Sequence, residues 1–285
     1  MALFEKLEEK YIKTDGVKLH TIITGSGEPL ILLHGFPDFW YGWKNIILGL
    51  KDEFKLIVPD LRGYNKSDKP KEVEDYTIEK LINDIKVLKN KLQIDKFYLA
   101  GHDWGGMIAW LFAEKYPEYV KKLIIINAPH PSLFGKKISS NKKQKKASSY
   151  IFRFQNDPEG SASFLKDNDY QGLKLAVFGS ANKESFSSED KKRYQRAWSQ
   201  PGAIKSGIYY YTAFDTAYEG SRKIEMPTLV IWGMKDLFLT PKLLEGLSKY
   251  VKDLEIVKSE KSTHWVMHDD PDLVIENIRK FLKKA

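Results

Sequence analysis

The chain has no cysteine, which excludes disulfides and thiolate chemistry and fits a reducing compartment. No run approaches the ~18 consecutive apolar residues of a membrane span. Met1 to Gly16 alternates charged with isolated apolar residues and lacks the apolar core of about 7–15 residues that a signal peptide needs. A soluble, cytoplasmic protein is expected. Repeats and low-complexity tracts are missing. So are histidine and carboxylate clusters at metal-ligand spacing and any glycine-rich nucleotide loop, so neither a metal nor a cofactor is expected. Acidic residues are outnumbered, 38 against 46 lysines and arginines, giving a formal charge of +8; such a balance raises nucleic acid or acidic membranes as partners. Yet the six lysines between Lys136 and Lys146 are interleaved with serine, asparagine and glutamine, without aromatic side chains on which bases could stack. That stretch reads as a solvated, mobile segment, and neither a nucleic acid nor a membrane partner is expected.

What the chain does have is alternation. At 285 residues it is long enough for one large α/β domain or a core with an insert. Short apolar runs recur at Leu19–Thr24, Leu30–Leu33, Leu56–Val58, Phe97–Ala100, Leu123–Ile126, Thr228–Trp232 and Leu254–Val257, the appearance of strands buried on both faces. Helical patterns lie between several of them. The clearest runs through Ile78, Leu81, Ile82, Ile85, Leu88 and Leu92, with Thr77 placed to cap it. A mainly parallel, doubly wound sheet follows, with an antiparallel edge at the first strands.

The alternation stops after Asn127-Ala128-Pro129-His130-Pro131 and resumes at Met226-Pro227, leaving roughly 90 residues, enough for an inserted helical unit. The expected division is a core of residues 1–130 and 222–285, with residues 131–221 as a helical lid. Inside the lid, Ser188 with Glu189 and Asp190 opens a helix, and Pro201-Gly202 separates it from the next. There Ile204, Ile208, Tyr211 and Phe214 share one face, so Tyr211 should face the core while Tyr209 and Tyr210 point elsewhere.

The chemistry concentrates at Gly101-His102-Asp103-Trp104-Gly105, which follows an apolar run and precedes a helical pattern. Strand, sharp turn and helix form the setting of a nucleophile elbow, whose glycines permit a tight turn and whose central side chain is thrust outward. The centre here is Asp103. A helix N-cap is the plainer reading of such an aspartate. Two further residues lie just past apolar runs, Asp236 and His264, completing the chain order nucleophile, acid, histidine. A carboxylate nucleophile suits displacement at an sp3 carbon, giving an alkyl ester that a second step must hydrolyse. An epoxide or an alkyl halide therefore fits better than an ester.

These residues resemble the α/β-hydrolase-fold epoxide hydrolases over almost the whole chain. His34-Gly35-Phe36-Pro37 is similar to that family's HGFP loop, Asp60-Leu61-Arg62-Gly63-Tyr64 to its DLRGYG segment, and Gly101 to Gly106 to its GHDWGG elbow. The resemblance implies an α/β-hydrolase fold with a lid and a tight, candidate cis Phe36-Pro37 turn. It also implies two lid tyrosines that hydrogen-bond the epoxide oxygen, matched by Tyr150 and Tyr211. Three positions depart from the pattern: Asn65 and Thr263 stand where glycine is usual, and Thr212 where arginine commonly follows the second tyrosine.

On this resemblance Asp103 attacks an epoxide carbon while Tyr150 and Tyr211 act as acids. His264, oriented by Asp236, then activates water against the ester. Backbone N–H groups of Phe36 and Trp104 form the oxyanion hole, and Phe36, Pro37, Trp104 and Trp265 wall the pocket. The partners implied are a small apolar epoxide and water; the oligomeric state is left open. His34 is expected to stabilise its loop, and His20, His102, His130 and His268 to be structural or exposed. A dehalogenase would use the same Asp103 attack, but Phe36 occupies the position of its halide-binding asparagine, and Met107 that of a fluoroacetate dehalogenase's arginine. A non-catalytic binding protein on this scaffold would not need all three triad members.

Overall fold

Every apolar run singled out above becomes a strand. The computed structural model describes residues 7–215, 218 and 223–284. Among them β1 (Glu8–Lys13), β2 (Lys18–Thr24), β3 (Glu28–Leu33), β4 (Phe54–Pro59), β5 (Phe97–His102), β6 (Val120–Ile126), β7 (Thr228–Gly233) and β8 (Leu254–Ser259) form one sheet. The order is β1-β2-β4-β3-β5-β6-β7-β8. The pairs β1–β2 and β2–β4 are antiparallel; the rest are parallel. The antiparallel edge thus lies where the sequence placed it.

The helices are α1 (Lys44–Leu50), α2 (Ile78–Lys91), α3 (Trp104–Lys115), α4 (Pro131–Ser140), α5 (Lys142–Ala147), α6 (Ser149–Asn156), α7 (Pro158–Lys174), α8 (Ser188–Trp198), α9 (Ala203–Thr212), α10 (Val266–Asp269) and α11 (Pro271–Lys283). α3 is buried along nearly its whole length, from Trp104 through Glu114, as an apolar-all-round helix must be. It lies on the central strands, with Leu30 to Leu33 of β3 and Leu99 of β5 fully shielded. Each such aliphatic side chain contributes about 1.5–3 kcal/mol on burial. The loop after β4 is fixed by Arg62, whose Nε and Nη2 donate to the two carboxylate oxygens of Asp84 at 2.6 and 2.7 Å. Breaking a buried pair of this kind costs about 3–5 kcal/mol. No helix among the described residues is long and apolar enough to cross a membrane.

Several expectations need correction. Thr77 does precede α2, but its side chain makes no capping bond. α8 begins at Ser188, yet its cap is Ser187, which exchanges bonds with Asp190 in a capping box. The lysine-rich stretch is not an irregular segment: α4 and α5 run through it, because buried Gln144 accepts from Thr240 N and Oγ1 and donates to the Phe238 carbonyl, pinning α5 to the loop after β7. α9 ends at Thr212, so Phe214 lies beyond the helix. Tyr209 and Tyr210 do not point away from the core: both pack on Tyr76, and the Tyr210 hydroxyl donates to the Arg62 carbonyl at 2.7 Å. The expected lid boundary at 221–222 lies outside the described residues.

Candidate active site

Parallel strands deliver their carboxyl ends, and the loops after them, to one edge of the sheet. Asp103 stands at the end of β5 with φ 52° and ψ −121°, a backbone an L-residue seldom adopts. The turn is possible because Gly105 sits where a Cβ would lie 2.1 Å from the Leu33 carbonyl oxygen. The loop after β3 closes in from the other side: a Cβ on Gly35 would meet Asp103 Oδ1 at 2.2 Å. That close approach lets the Phe36 N–H donate to Asp103 Oδ1 at 2.8 Å, while the neighbouring Trp104 N–H also favours the charged form of the carboxylate. Asp103 is therefore no ordinary cap; its side chain makes no bond to cap α3.

The other oxygen, Oδ2, lies 3.6 Å from His264 Nε2. His264 Nδ1 donates to Asp236 Oδ2 at 2.7 Å, which fixes the tautomer and leaves Nε2 as a base. Asp236 is itself held by four donors. Asn127 Nδ2 reaches Oδ2 at 2.7 Å, and the N–H groups of Phe238 and Leu239 reach Oδ1 at 2.8 and 2.9 Å. Burial pushes the Asp103 carboxyl above its usual value, opposed by His264 and by the Phe36 and Trp104 N–H groups. For His264, burial acts downward, but the Asp236 carboxylate, together with the charges of Asp103 and Asp38, outweighs it and the ring is held above its ordinary value.

Tyr150 on α6 and Tyr211 on α9 converge on the same cavity, with ring centroids 5.7 Å apart. Burial and the Asp103 charge push Tyr150 upward; burial, Tyr150 and Asp103 do the same to Tyr211. Both phenols stay protonated and can donate. Gln155 Nε2 donates to the carbonyls of Tyr211 and Phe214 at 3.0 and 3.1 Å, joining the two helices behind the pair.

Asp103, His264, both tyrosines, Phe36, Pro37 and Trp265 all line one cavity of about 180 Å³, otherwise mostly aromatic and aliphatic. Trp104 instead borders a smaller neighbouring cavity of about 40 Å³, which shares Asp103, Tyr150 and Tyr211, and its indole meets the Tyr211 ring edge to face at 5.0 Å. The Phe36-Pro37 bond is cis, and the Trp198 indole N–H donates to the Pro37 carbonyl at 2.7 Å. His34 donates from Nδ1 to the Gly35 carbonyl and accepts the Leu61 N–H at Nε2. Its role is loop support. His20, His102, His130 and His268 are all buried, so none is exposed. Of the departures, Asn65 adopts φ 40° and donates to Asp60. Thr263 is anchored by its N–H and hydroxyl to Asp269, while Thr212 spends its hydroxyl on backbone carbonyls. No cluster of three or more potential metal ligands occurs among the described residues.

Two residues escaped the sequence reading. Asn127 follows the apolar run of β6, the position rule that located Asp103 and Asp236, and that signal could have found it. Asp38, next after the HGFP loop, is buried, and burial pushes its carboxyl up to about 7. Its Oδ1 accepts the Phe39 N–H at 2.7 Å, while Oδ2 has no partner of sound geometry. A carboxyl raised in the folded state binds its proton more tightly than in the unfolded chain. Stability should therefore fall as pH rises from about 4 through 7, by up to roughly 4 kcal/mol for a shift of about three units. Asp38→Asn should abolish that slope, with denaturant melts at pH 4.5 and 8 showing its advantage over the parent mainly at pH 8. An equal difference at both pH values would exonerate Asp38.

A model of the alpha/beta hydrolase fold matches residues 28–271. The chain is similar to the AB hydrolase superfamily protein YfhM of Bacillus subtilis, 39% identical and covering 96% of this chain and 97% of that one. Epoxide hydrolase 1 of Caenorhabditis elegans is also 39% identical, over 99% of this chain and 72% of the relative. Among solved structures, Bacillus megaterium epoxide hydrolase in complex with an inhibitor superposes with a TM-score of 0.92 at 33% identity, covering 96% of this chain and all of that one. The chain belongs to the epoxide hydrolase family of the α/β-hydrolase fold.

Proposed function

We propose that this protein hydrolyses a small, largely apolar epoxide to a vicinal diol through a covalent ester on Asp103. The observation that carries the reading is the asymmetry of that carboxylate. Oδ1 is held by the Phe36 N–H, while Oδ2 faces His264 and a cavity into which two protonated tyrosines point. In the first step Oδ2 attacks a ring carbon, the C–O bond opens, and the alkoxide takes a proton from Tyr150 or Tyr211. In the second, His264 Nε2 removes a proton from water and the hydroxide adds to the ester carbon. The Phe36 and Trp104 N–H groups hold the oxyanion; its collapse breaks the ester C–O bond, His264 returns its proton to the departing alkoxide, and the proton left on the Asp103 carboxyl restores the tyrosinate, so that diol, free carboxylate and neutral phenol result. The named activity of the relatives supports the same substrate class. Residues 1–130 and 222–285 act as the hydrolase core and 131–221 as its lid; the cysteine-free chain fits a cytoplasmic location.

A dehalogenase is disfavoured by Phe36, which stands where its halide-binding asparagine would. Parallel assays decide: diol should form from styrene oxide, with no halide released from a chloroalkane or fluoroacetate. Halide release without diol formation would reverse the assignment.

A further inference from the structure

Apart from the two phenols, the cavity wall carries titratable or charged groups at three side chains: Asp103, His264 and Arg153. The first two face each other. Arg153 has no carboxylate within ion-pair distance among the described residues. The acidic side chains that follow it in sequence are engaged elsewhere, Asp157 capping α7 and Glu159 pairing with Lys205. Its guanidinium carbon lies 4.3 Å from the ring centroid of Phe164, which also lines the cavity and is half exposed. Arg153 is itself exposed, so the pair marks the mouth. An arginine resting on an aromatic face keeps its planar fork in a limited set of orientations and remains able to bind a carboxylate through two parallel bonds.

Its placement relative to the reacting atoms is set by one helix. Tyr150 and Arg153 are three residues apart on α6 (Ser149–Asn156), hence on the same side and ~4.5 Å apart along the axis. Tyr150 reaches inward to the nucleophile and Arg153 outward to the opening. Between them the wall is apolar, with Phe154, Leu165 and Leu173. Such a site offers an acid at one end, a cation at the other and an apolar stretch between. We propose that Arg153 is a specificity residue that binds the carboxylate of an amphipathic epoxide, its ring separated from the acid by a short aliphatic spacer. This rests on the epoxide reading above and narrows it.

The test compares 7,8-epoxyoctanoate with its methyl ester in the parent enzyme, Arg153→Gln and Arg153→Lys. The acid-to-ester ratio of kcat/KM should fall at least tenfold in Arg153→Gln, carried by KM, and recover in part with lysine, which restores charge but not the fork. A ratio unchanged by Arg153→Gln overturns the proposal. Octanoate and octanamide, titrated calorimetrically into the parent enzyme and into Arg153→Gln, supply a readout independent of turnover. Octanoate should bind the parent more tightly than octanamide, by a margin that shrinks tenfold in the variant. Equal binding of the two by the parent overturns it even if the variant fails to fold. If the parent hydrolyses no epoxide, the functional reading falls, while the titrations still decide whether Arg153 recognises carboxylates.

Discussion

Replacing His264 by glutamine is expected to lower steady-state diol formation by roughly 10⁴-fold or more, the scale of loss when a member of such a catalytic unit is removed, while leaving the first chemical step possible. The ring is needed only after the ester exists: Nε2 stands 3.6 Å from Asp103 Oδ2, close enough to direct water at the ester carbon and unnecessary for the carboxylate's own attack. Ester should accumulate. Intact mass after mixing with excess epoxide should rise by one substrate, and peptide mapping should place it on Asp103. A folded variant without adduct, or with the adduct elsewhere, rules Asp103 out as nucleophile. With a chloroalkane, any adduct would lack the hydroxyl oxygen that an opened epoxide retains. In the parent enzyme the same base sets the acid limb of the pH profile. Asp236 holds His264 above its ordinary value, so hydrolysis should decline on acidification from a midpoint above that of free histidine.

Removing both tyrosine hydroxyls has the second-largest expected effect. An alkoxide leaves poorly unless protonated, and a positioned general acid contributes typically ~10²–10⁴-fold. The double variant Tyr150→Phe, Tyr211→Phe should therefore lose at least ~10²-fold in single-turnover alkylation. Each single variant should lose less, because both rings line the same cavity with centroids 5.7 Å apart and either hydroxyl can stand over the ring oxygen. The cavity walls would change little, since phenylalanine retains the ring that packs against Phe154. Unimpaired alkylation in the double variant would mean that the proton comes from another group.

Much of this was legible because the chemistry sits at the ends of buried strands, where an apolar run followed by glycine and a functional side chain is a local signal. Asp103 and Asp236 carry it in full, and His264 carries it without the glycine, Thr263 standing in that place. The run of helices between β6 and β7 was legible as an interruption of the alternation, the inward face of Tyr211 through helical spacing, and the pairing of Tyr150 with Tyr211 only through the family resemblance. What escaped reading depended on contacts distant in sequence. β1 buries Ile12 alone of its six residues and holds its place as an edge strand by pairing with β2, so its own pattern is that of an exposed loop. The helix α5, Lys-Lys-Gln-Lys-Lys-Ala, has no apolar stripe; its order comes from Gln144 bonded to Thr240 and Phe238, some 90 residues onward. Asp38 gave no signal because its raised protonation is a property of the burial around it, not of its neighbours in the chain.

The helices between β6 and β7 and the strands beneath them supply different halves of the proposed cycle. Tyr150 and Tyr211 belong to α6 and α9, whereas Asp236, His264 and the Phe36 and Trp104 N–H groups are fixed to the sheet's loops. Ring opening needs both bodies in register; ester hydrolysis draws its base, orienter and oxyanion donors from one. The two half-reactions are thus mechanically separable. Loosening the helical body, whether at the Gln155 clasp or at the Trp198 bond to Pro37, would throttle entry into the covalent state while leaving exit from it at full speed. The enzyme would then rest as free carboxylate, and a partly opened molecule would stay slow without becoming trapped in its own intermediate.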